Sequence, residues 1–242
     1  MKNINLKYVH PKTLKTLEKV LDDSHKVNPI LFSFLAAILA SIGLATNSQT
    51  TILGSMLFSP IGSLINKSNI SHFFEVHKHP TKKKYSHWVL PLMMVIGITI
   101  GVSFIFGLVF KQLTNPFTHE KLTKNWPTKE MTDRADPINA LYMILIALVC
   151  GIALPLAIIF DSNVRIVAIG IATALIPPLA NIGIALSTLG TEFDEHSKNA
   201  IITGFGIFII NVLLLWGPSR FLLEFFVKKN NFVKRIEKEM DI

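Results

Sequence analysis

Between His87 and Lys111 the sequence carries no charged residue, and Trp88 to Phe110 reads as one apolar run. At about 1.5 Å of rise per residue, a helix of that length crosses the ~30 Å hydrocarbon core of a bilayer with some tilt. In that medium every backbone polar group needs an internal partner, and a lone apolar segment finds them only as a helix. Similar blocks recur along the chain, separated by short polar stretches. The 242 residues are half hydrophobic, and their mean hydropathy is +0.46. The pattern therefore implies an all-α polytopic membrane protein with the lipid bilayer as its first partner.

Two further blocks are interrupted, and they resemble each other. Gly54-Ser55-Met56-Leu57-Phe58-Ser59-Pro60-Ile61-Gly62-Ser63-Leu64-Ile65 lies over Ala172-Thr173-Ala174-Leu175-Ile176-Pro177-Pro178-Leu179-Ala180-Asn181-Ile182-Gly183 without a gap. Small residue meets small, Leu57 meets Leu175, and Pro60 meets Pro178. Proline removes a backbone donor and crowds the preceding turn, so both stretches are expected to be broken helices. A second registered match precedes each of them. Asn28-Pro29-Ile30 corresponds to Asp136-Pro137-Ile138, and from there Gly43 and Ala45 fall opposite Gly151 and Ala153. Each half then reads as a plain span, a broken span and a plain span, giving about six transmembrane segments.

The boundaries follow. Residues 1–27 form a polar, basic segment in which Leu14, Leu17, Val20 and Leu21 recur at helical spacing, as in an amphipathic helix on the membrane surface. Residues 28–110 hold the first three spans, 111–135 a long mixed-charge loop, and 136–216 the second three. Gly217-Pro218 is expected to stop the last span ahead of a basic tail, 217–242. Gly97-x-x-x-Gly101 could seat a neighbouring helix closely. The first apolar run begins near residue 28 and belongs to the repeat, so it is not read as a cleavable signal peptide. Cys150, the single cysteine, sits in an apolar run, which excludes an internal disulfide.

A three-span repeat must place its second copy upside down. Charge tests this independently. Most of the 24 lysines and arginines fall in the N-terminal segment, the 66–87 loop, the turn after the fourth span and the tail. The opposite side keeps only Lys111, Lys121, Lys124, Lys129, Arg134 and Lys198. The positive-inside rule then expects both termini in the cytoplasm. The net charge of +8 lies in these loops and tails, so topology accounts for it and no nucleic-acid partner is expected.

An inverted pair of broken helices brings two interruptions face to face near the midplane, where freed backbone groups can hold a solute or ion. The candidate pathway residues are Asn47, Ser55, Ser59, Pro60, Ser63, Thr173, Pro177, Pro178, Asn181 and Asn211. The competing reading is that the prolines only kink their helices and the hydroxyls bond back to their own carbonyls. No Asp, Glu, Lys or Arg lies deep in a span, which disfavours a carboxylate-coupled carrier and favours a channel or uniporter for a neutral or anionic solute. No catalytic pattern, cofactor motif or metal site is expected. His72, His77 and His79 with Glu75 read better as a solvated basic loop near anionic headgroups than as metal ligands. A non-transporting membrane scaffold or lipid-interacting protein is the alternative function, and a homo-oligomer is compatible with either.

Gly54-x-Met56-Leu57-x-x-Pro60 after Thr46-Asn47-Ser48, and Ala174-Leu175-Ile176-Pro177-Pro178-Leu179-Ala180 followed by Gly183-Ile184, together resemble the hydrophobic membrane proteins grouped as domain of unknown function 389. Arg134-x-x-Pro137 and Asn211 are similar to that family's pattern as well. The likeness runs over roughly residues 28 to 216 and implies a multi-span membrane domain without an established substrate. The chain departs from relatives at Ser63, where a second proline is common. It also carries only a short segment where many relatives have a soluble domain.

Overall fold

The computed structural model describes residues 28–65, 68–69, 89–113, 123–159, 164–191 and 193–240, with side chains described except at 158–159, 164–169, 173 and 226–240. The segment 1–27, the histidine loop and the Asp161-Ser162-Asn163 turn lie outside the described residues. Among those described there are only helices: α1 (Pro29–Ala45), α2 (Gln49–Phe58), α3 (Val89–Gln112), α4 (Lys129–Asp133), α5 (Pro137–Ile159), α6 (Val164–Thr188) and α7 (Asp194–Met240). Four of them, α3, α5, α6 and α7, contain stretches long and apolar enough to cross a membrane. The 17 residues of α1 are apolar too, but at about 1.5 Å each they fall short of the full ~30 Å core.

Local chemistry explains where these helices begin. Asn28 Oδ1 accepts from the amides of Ile30 and Leu31, at 3.1 and 3.3 Å, and Pro29 occupies the first turn, where its missing donor costs nothing. The corresponding Asp136 Oδ1 accepts from Ile138 N at 3.2 Å, so both Asx-Pro-Ile starts use the same cap. Ser48 caps α2 through Thr51 N. At the far end of α6, Lys111 Nζ donates to Ser187 O at 2.8 Å, placing a cation on the carbonyl end of the helix.

α6 is the axis of the bundle. It packs against α1, α2, α3, α5 and α7, and its apolar stretch is buried on nearly every side, whereas α3, α5 and α7 bury one face. Outward-facing residues such as Leu57, Leu90, Ile138 and Ile202 are exposed and apolar, as a lipid-facing surface requires. Inside, Met56, Ile61 and Leu64 share one buried cluster with Ala174, Leu175, Ile176 and Leu179. The two similar stretches thus meet in a common core.

Close helix approach depends on small residues, since lipid tails give apolar helices no reason to exchange solvent for each other. A Cβ on Gly183 would stand 2.5 Å from Ile100 O and 2.6 Å from Ser103 Cβ, so α6 and α3 touch backbone to backbone there. Gly107 is filled in the same way by Ser187, and Gly204 of α7 faces Ile182 of α6. Gly97 and Gly101, expected as a helix seat, face open space. The α3–α6 crossing lies nearer the end of α3, at Ser103 and Gly107, where serines on both helices complete the fit.

Three expected interruptions resolve differently. α2 does stop at Phe58: Ser59 is extended (φ −68°, ψ 125°), the conformation a following proline imposes, and a helical turn resumes over 61–65. α6, by contrast, runs unbroken through Pro177 and Pro178, and α7 runs unbroken through Gly217 and Pro218. The break expected at Pro177-Pro178 and the stop expected at Gly217-Pro218 are therefore corrected to continuous helix. In each case a neighbouring helix attends the carbonyl that proline deprives of its regular donor. Asn211 Nδ2 donates to Ala174 O at 2.9 Å, where Pro178 would otherwise have supplied an amide. Leu214 O, one turn before Pro218, lies where a Cβ of Gly151 would be, so α5 packs directly on it.

The glycine contacts give a paired test. Gly183→Val is expected to cost about 3 kcal/mol through overpacking against backbone, while Gly97→Ala stays within ~0.5 kcal/mol of the parent. Thermal or detergent-titration unfolding of both purified variants checks the contrast.

Candidate functional site

The polar residues singled out from sequence sort into two levels. The first surrounds the α2 interruption and the proline-bearing turn of α6. Here Ser59 serves two helical segments. Its amide donates to Met56 O at 3.3 Å, closing α2, and its Oγ accepts from Ile61 N at 3.3 Å, opening the next turn. Pro60 is buried, and its carbonyl accepts from Leu64 N at 3.0 Å. Ser63 Oγ also donates to that carbonyl, at 2.8 Å, and Ser55 Oγ donates to Ile52 O at 2.6 Å. These two hydroxyls bond back into their own helices, which shortens the roster of groups free to meet a solute.

What remains free at this level is Asn211. Its side chain is fully buried, and while Nδ2 holds Ala174 O, its Oδ1 has no partner among the described residues. An amide oxygen in an apolar interior normally finds a donor, because leaving it unpaired costs about 1–3 kcal/mol. Asn211 thus combines a structural duty, patching the turn that Pro178 opens, with an unused acceptor. Pro177 and Pro178 are both buried in α6 beside it. The side chain of Thr173 lies outside the described residues.

The second level was not legible as a unit. Asn47 and Asn181, both candidate pathway residues, hold consecutive residues of α4. Asn47 Oδ1 accepts from Glu130 N at 3.0 Å, and Asn181 Nδ2 donates to Met131 O at 3.0 Å. Asn47 has a positive φ of 56°, the left-handed region that asparagine tolerates better than most residues, so the α1–α2 turn is built around it. Thr128 caps α4 through Met131 N and donates to Leu44 O at 2.6 Å, and Trp126 Nε1 donates to Ala45 O at 3.4 Å. The Trp126 ring stacks on Phe110 with centroids 6.2 Å apart. The 123–135 segment is in this way fastened over the carbonyl end of α1 and against α6.

Within it Arg134 is paired with Glu130, Nη1 to Oε2 at 2.5 Å, and both side chains are almost wholly buried. Burial pulls the Arg134 pKa below its ordinary value, and the Glu130 charge and hydrogen bond pull it back up. Among the described residues the Arg134 Nε has no partner. A hollow of about 10 Å³ among Trp126, Met131, Asn181 and His196 has room for about one water. Of these residues the sequence singles out Asn181, as a pathway candidate, and Arg134, through the family pattern. Trp126, Thr128 and Glu130 look like ordinary loop residues until their partners, some 80 positions away, are known.

The structure, then, is that of a helical protein with several helices of membrane-spanning length. The family described as a domain of unknown function (DUF389) matches residues 80–216, more than half of the chain. The chain belongs to that family. The matched region takes in Pro177, Pro178, Asn181 and Asn211 but begins after Ser59 and Pro60. No curated protein and no solved structure matches the chain.

The Asn211 contact yields a double-mutant test. Asn211→Leu is expected to destabilise the protein by about 1 kcal/mol, and by much less when Pro178→Ala restores the backbone donor to Ala174 O. Unfolding of the single and double variants in detergent measures the coupling. At the second level, Asn47→Gly should retain the left-handed turn yet release Glu130 N. Asn47→Ala should lose about 1 kcal/mol more from backbone strain. Amide hydrogen exchange across residues 126–135 reports the release.

Proposed function

We propose that this protein is a small transport protein or channel, with its solute site where the α2 interruption and the Ala174–Pro178 turn of α6 share a core. The observation that carries the reading is the fully buried Asn211 Oδ1, unpartnered among the described residues and beside a proline-bearing turn. An acceptor of this kind suits a hydrogen-bond-donating neutral solute, and no ionisable side chain lies in the described span interiors between Lys198 and Arg220 or within α1 and α2. That consideration shifts the reading away from an anion. Ser59, Pro60 and Ser63 would form the opposite wall, with Ser55 behind them.

The wider architecture is part of the same proposal. α2 with its 61–65 extension would make one crossing, giving six in all, arranged as two inverted three-span units with both termini cytoplasmic. Support comes from the shared Asx-Pro-Ile caps and from packing order: α1 contacts α2 and α3, as α5 contacts α6 and α7. The charge distribution along the sequence agrees. The 123–135 segment, tied down by Asn47 and Asn181, would close one end of the pathway.

Because Cys150 is the single cysteine, a Cys150→Ala background allows site-directed labelling. In proteoliposomes loaded with small neutral solutes, the protein should accelerate efflux. Ser59→Cys should react with a membrane-impermeant thiol reagent, and labelling should cut efflux at least tenfold. Efflux indistinguishable from empty liposomes, or unaffected by complete labelling at Ser59→Cys, would remove the assignment. Absent flux with salt-sensitive binding to anionic liposomes would instead favour the lipid-interacting scaffold.

A further inference from the structure

Of the eight histidines in the chain, His196 is the one that stands among the described residues. It occupies the first turn of α7, ahead of the uncharged run that begins after Lys198, and so lies outside the spanning stretch. Its ring is half-buried. It lines the small hollow described above with Trp126 and Met131 of the 123–135 segment and Asn181, Ile184 and Thr188 of α6. Three elements thus meet at one imidazole, and they are not equally bound to each other. α6 and α7 pack along much of their length, whereas α4 meets α7 only briefly. The 123–135 segment is therefore the piece that parts from His196 at least cost.

The surroundings suit a neutral ring and not an imidazolium. Trp126, Met131 and Ile184 are apolar, and Asn181 and Thr188 carry no charge. The hollow has room for about one water, too little to hydrate a cation. The charges on the adjoining elements are engaged elsewhere or face outward. On the segment, Glu130 is engaged with Arg134, Asn139 donates to Asp133, and Lys124 and Lys129 are exposed. On α7, Asp194 pairs with Lys198 and Glu195 is exposed. Lys111 of α3 sits on Ser187 O, and α6 has no charged residue from Gly170 to Thr188. Burial accordingly is what acts on His196, pushing its pKa below the ordinary value.

We propose that His196 makes the hold of the 123–135 segment on the bundle sensitive to protons: the neutral ring lets the segment close, and the imidazolium loosens it. With the segment lifted, the ring reaches water and takes up a proton at its ordinary value. With the segment shut, the same proton would have to enter an apolar hollow. Closure is thus indifferent to pH above about 6.5 and weakens as the pH falls below it. The bonds from Asn47 and Asn181 are neutral and supply the hold that the proton works against. The inference concerns the segment alone and stands or falls apart from the transport reading. Under the topology proposed above, the acid it answers to would be that of the non-cytoplasmic side.

Amide hydrogen exchange of the full-length protein in detergent tests this, compared at about pH 7.5 and about pH 5 after correction for the intrinsic change in exchange rate. Residues 126–135 should lose protection several-fold at the lower pH, while the amides of α6 keep theirs. His196→Gln, neutral at both values, should hold the segment equally well at each. Equal protection of 126–135 at the two pH values in the parent overturns the proposal without recourse to any variant. A loss shared equally by α6 overturns it too, since the change is then global. So does a pH dependence retained in monodisperse His196→Gln protein, which assigns the effect to another group.

Discussion

The contact between Asn211 and the carbonyl of Ala174 shows the constraint under which the whole molecule is built. In hydrocarbon there is no water to satisfy a backbone group that loses its partner, so each proline in a spanning helix creates a debt at a specific carbonyl. The protein accommodates its prolines in three different ways. At Pro178 a side-chain amide from the next helix replaces the missing donor. At Pro218 the helix continues while Gly151 lets α5 close over the carbonyl of Leu214. At Pro60 the helix gives way, and Ser59 ends one segment and starts another. Similar prolines in similar stretches therefore yield a break in one place and continuity in another.

The difference follows from position in the bundle. α6 is enclosed by five helices, and its neighbours can lend both a hydrogen-bond donor and the packing that resists a kink. α2 is short, and its Leu53 and Leu57 face outward, so little on that side opposes the extended conformation Pro60 favours at Ser59. Small residues make the enclosure of α6 feasible. Gly183 and Gly107 let α3 and α6 approach to backbone contact, and Ser41 of α1 donates to Ser103 of α3 at 2.9 Å across the same region. Such contacts are short-range and specific, which is what association without a solvent-driven term demands.

The 123–135 segment adds a polar end to this apolar body. Its backbone is grasped from both halves of the sequence, by Asn47 on one side and Asn181 on the other, while the buried Arg134–Glu130 pair ties two of its own residues together. A buried ion pair gives up hydration and is weak support for stability by itself. Here it accompanies a set of side-chain-to-backbone bonds that fix one conformation for a loop of mixed charge. The arrangement links the α1–α2 turn, the core helix and the start of α5 into one unit, next to the level where Asn211 keeps an unpaired oxygen.

The all-helical character, the approximate extents of α3 and α5, the Asx-Pro caps of α1 and α5 and the family were legible in the sequence. Each rests on short-range rules or on local motifs: an uncharged run of spanning length, a capping oxygen beside proline, a registered pair of stretches. The halt of α2 before Pro60 was legible for the same reason, because proline acts on the residue beside it. What the sequence could not show is who stands opposite a given backbone group. Whether Pro177-Pro178 breaks α6, whether Gly217-Pro218 ends α7, and whether Asn47 and Asn181 face a pathway or clasp a loop all depend on residues far away in the chain. Gly97 and Gly101 carry the motif of a helix seat, yet Gly183 and Gly107 provide it, because only the packed bundle decides which face of a helix meets a neighbour.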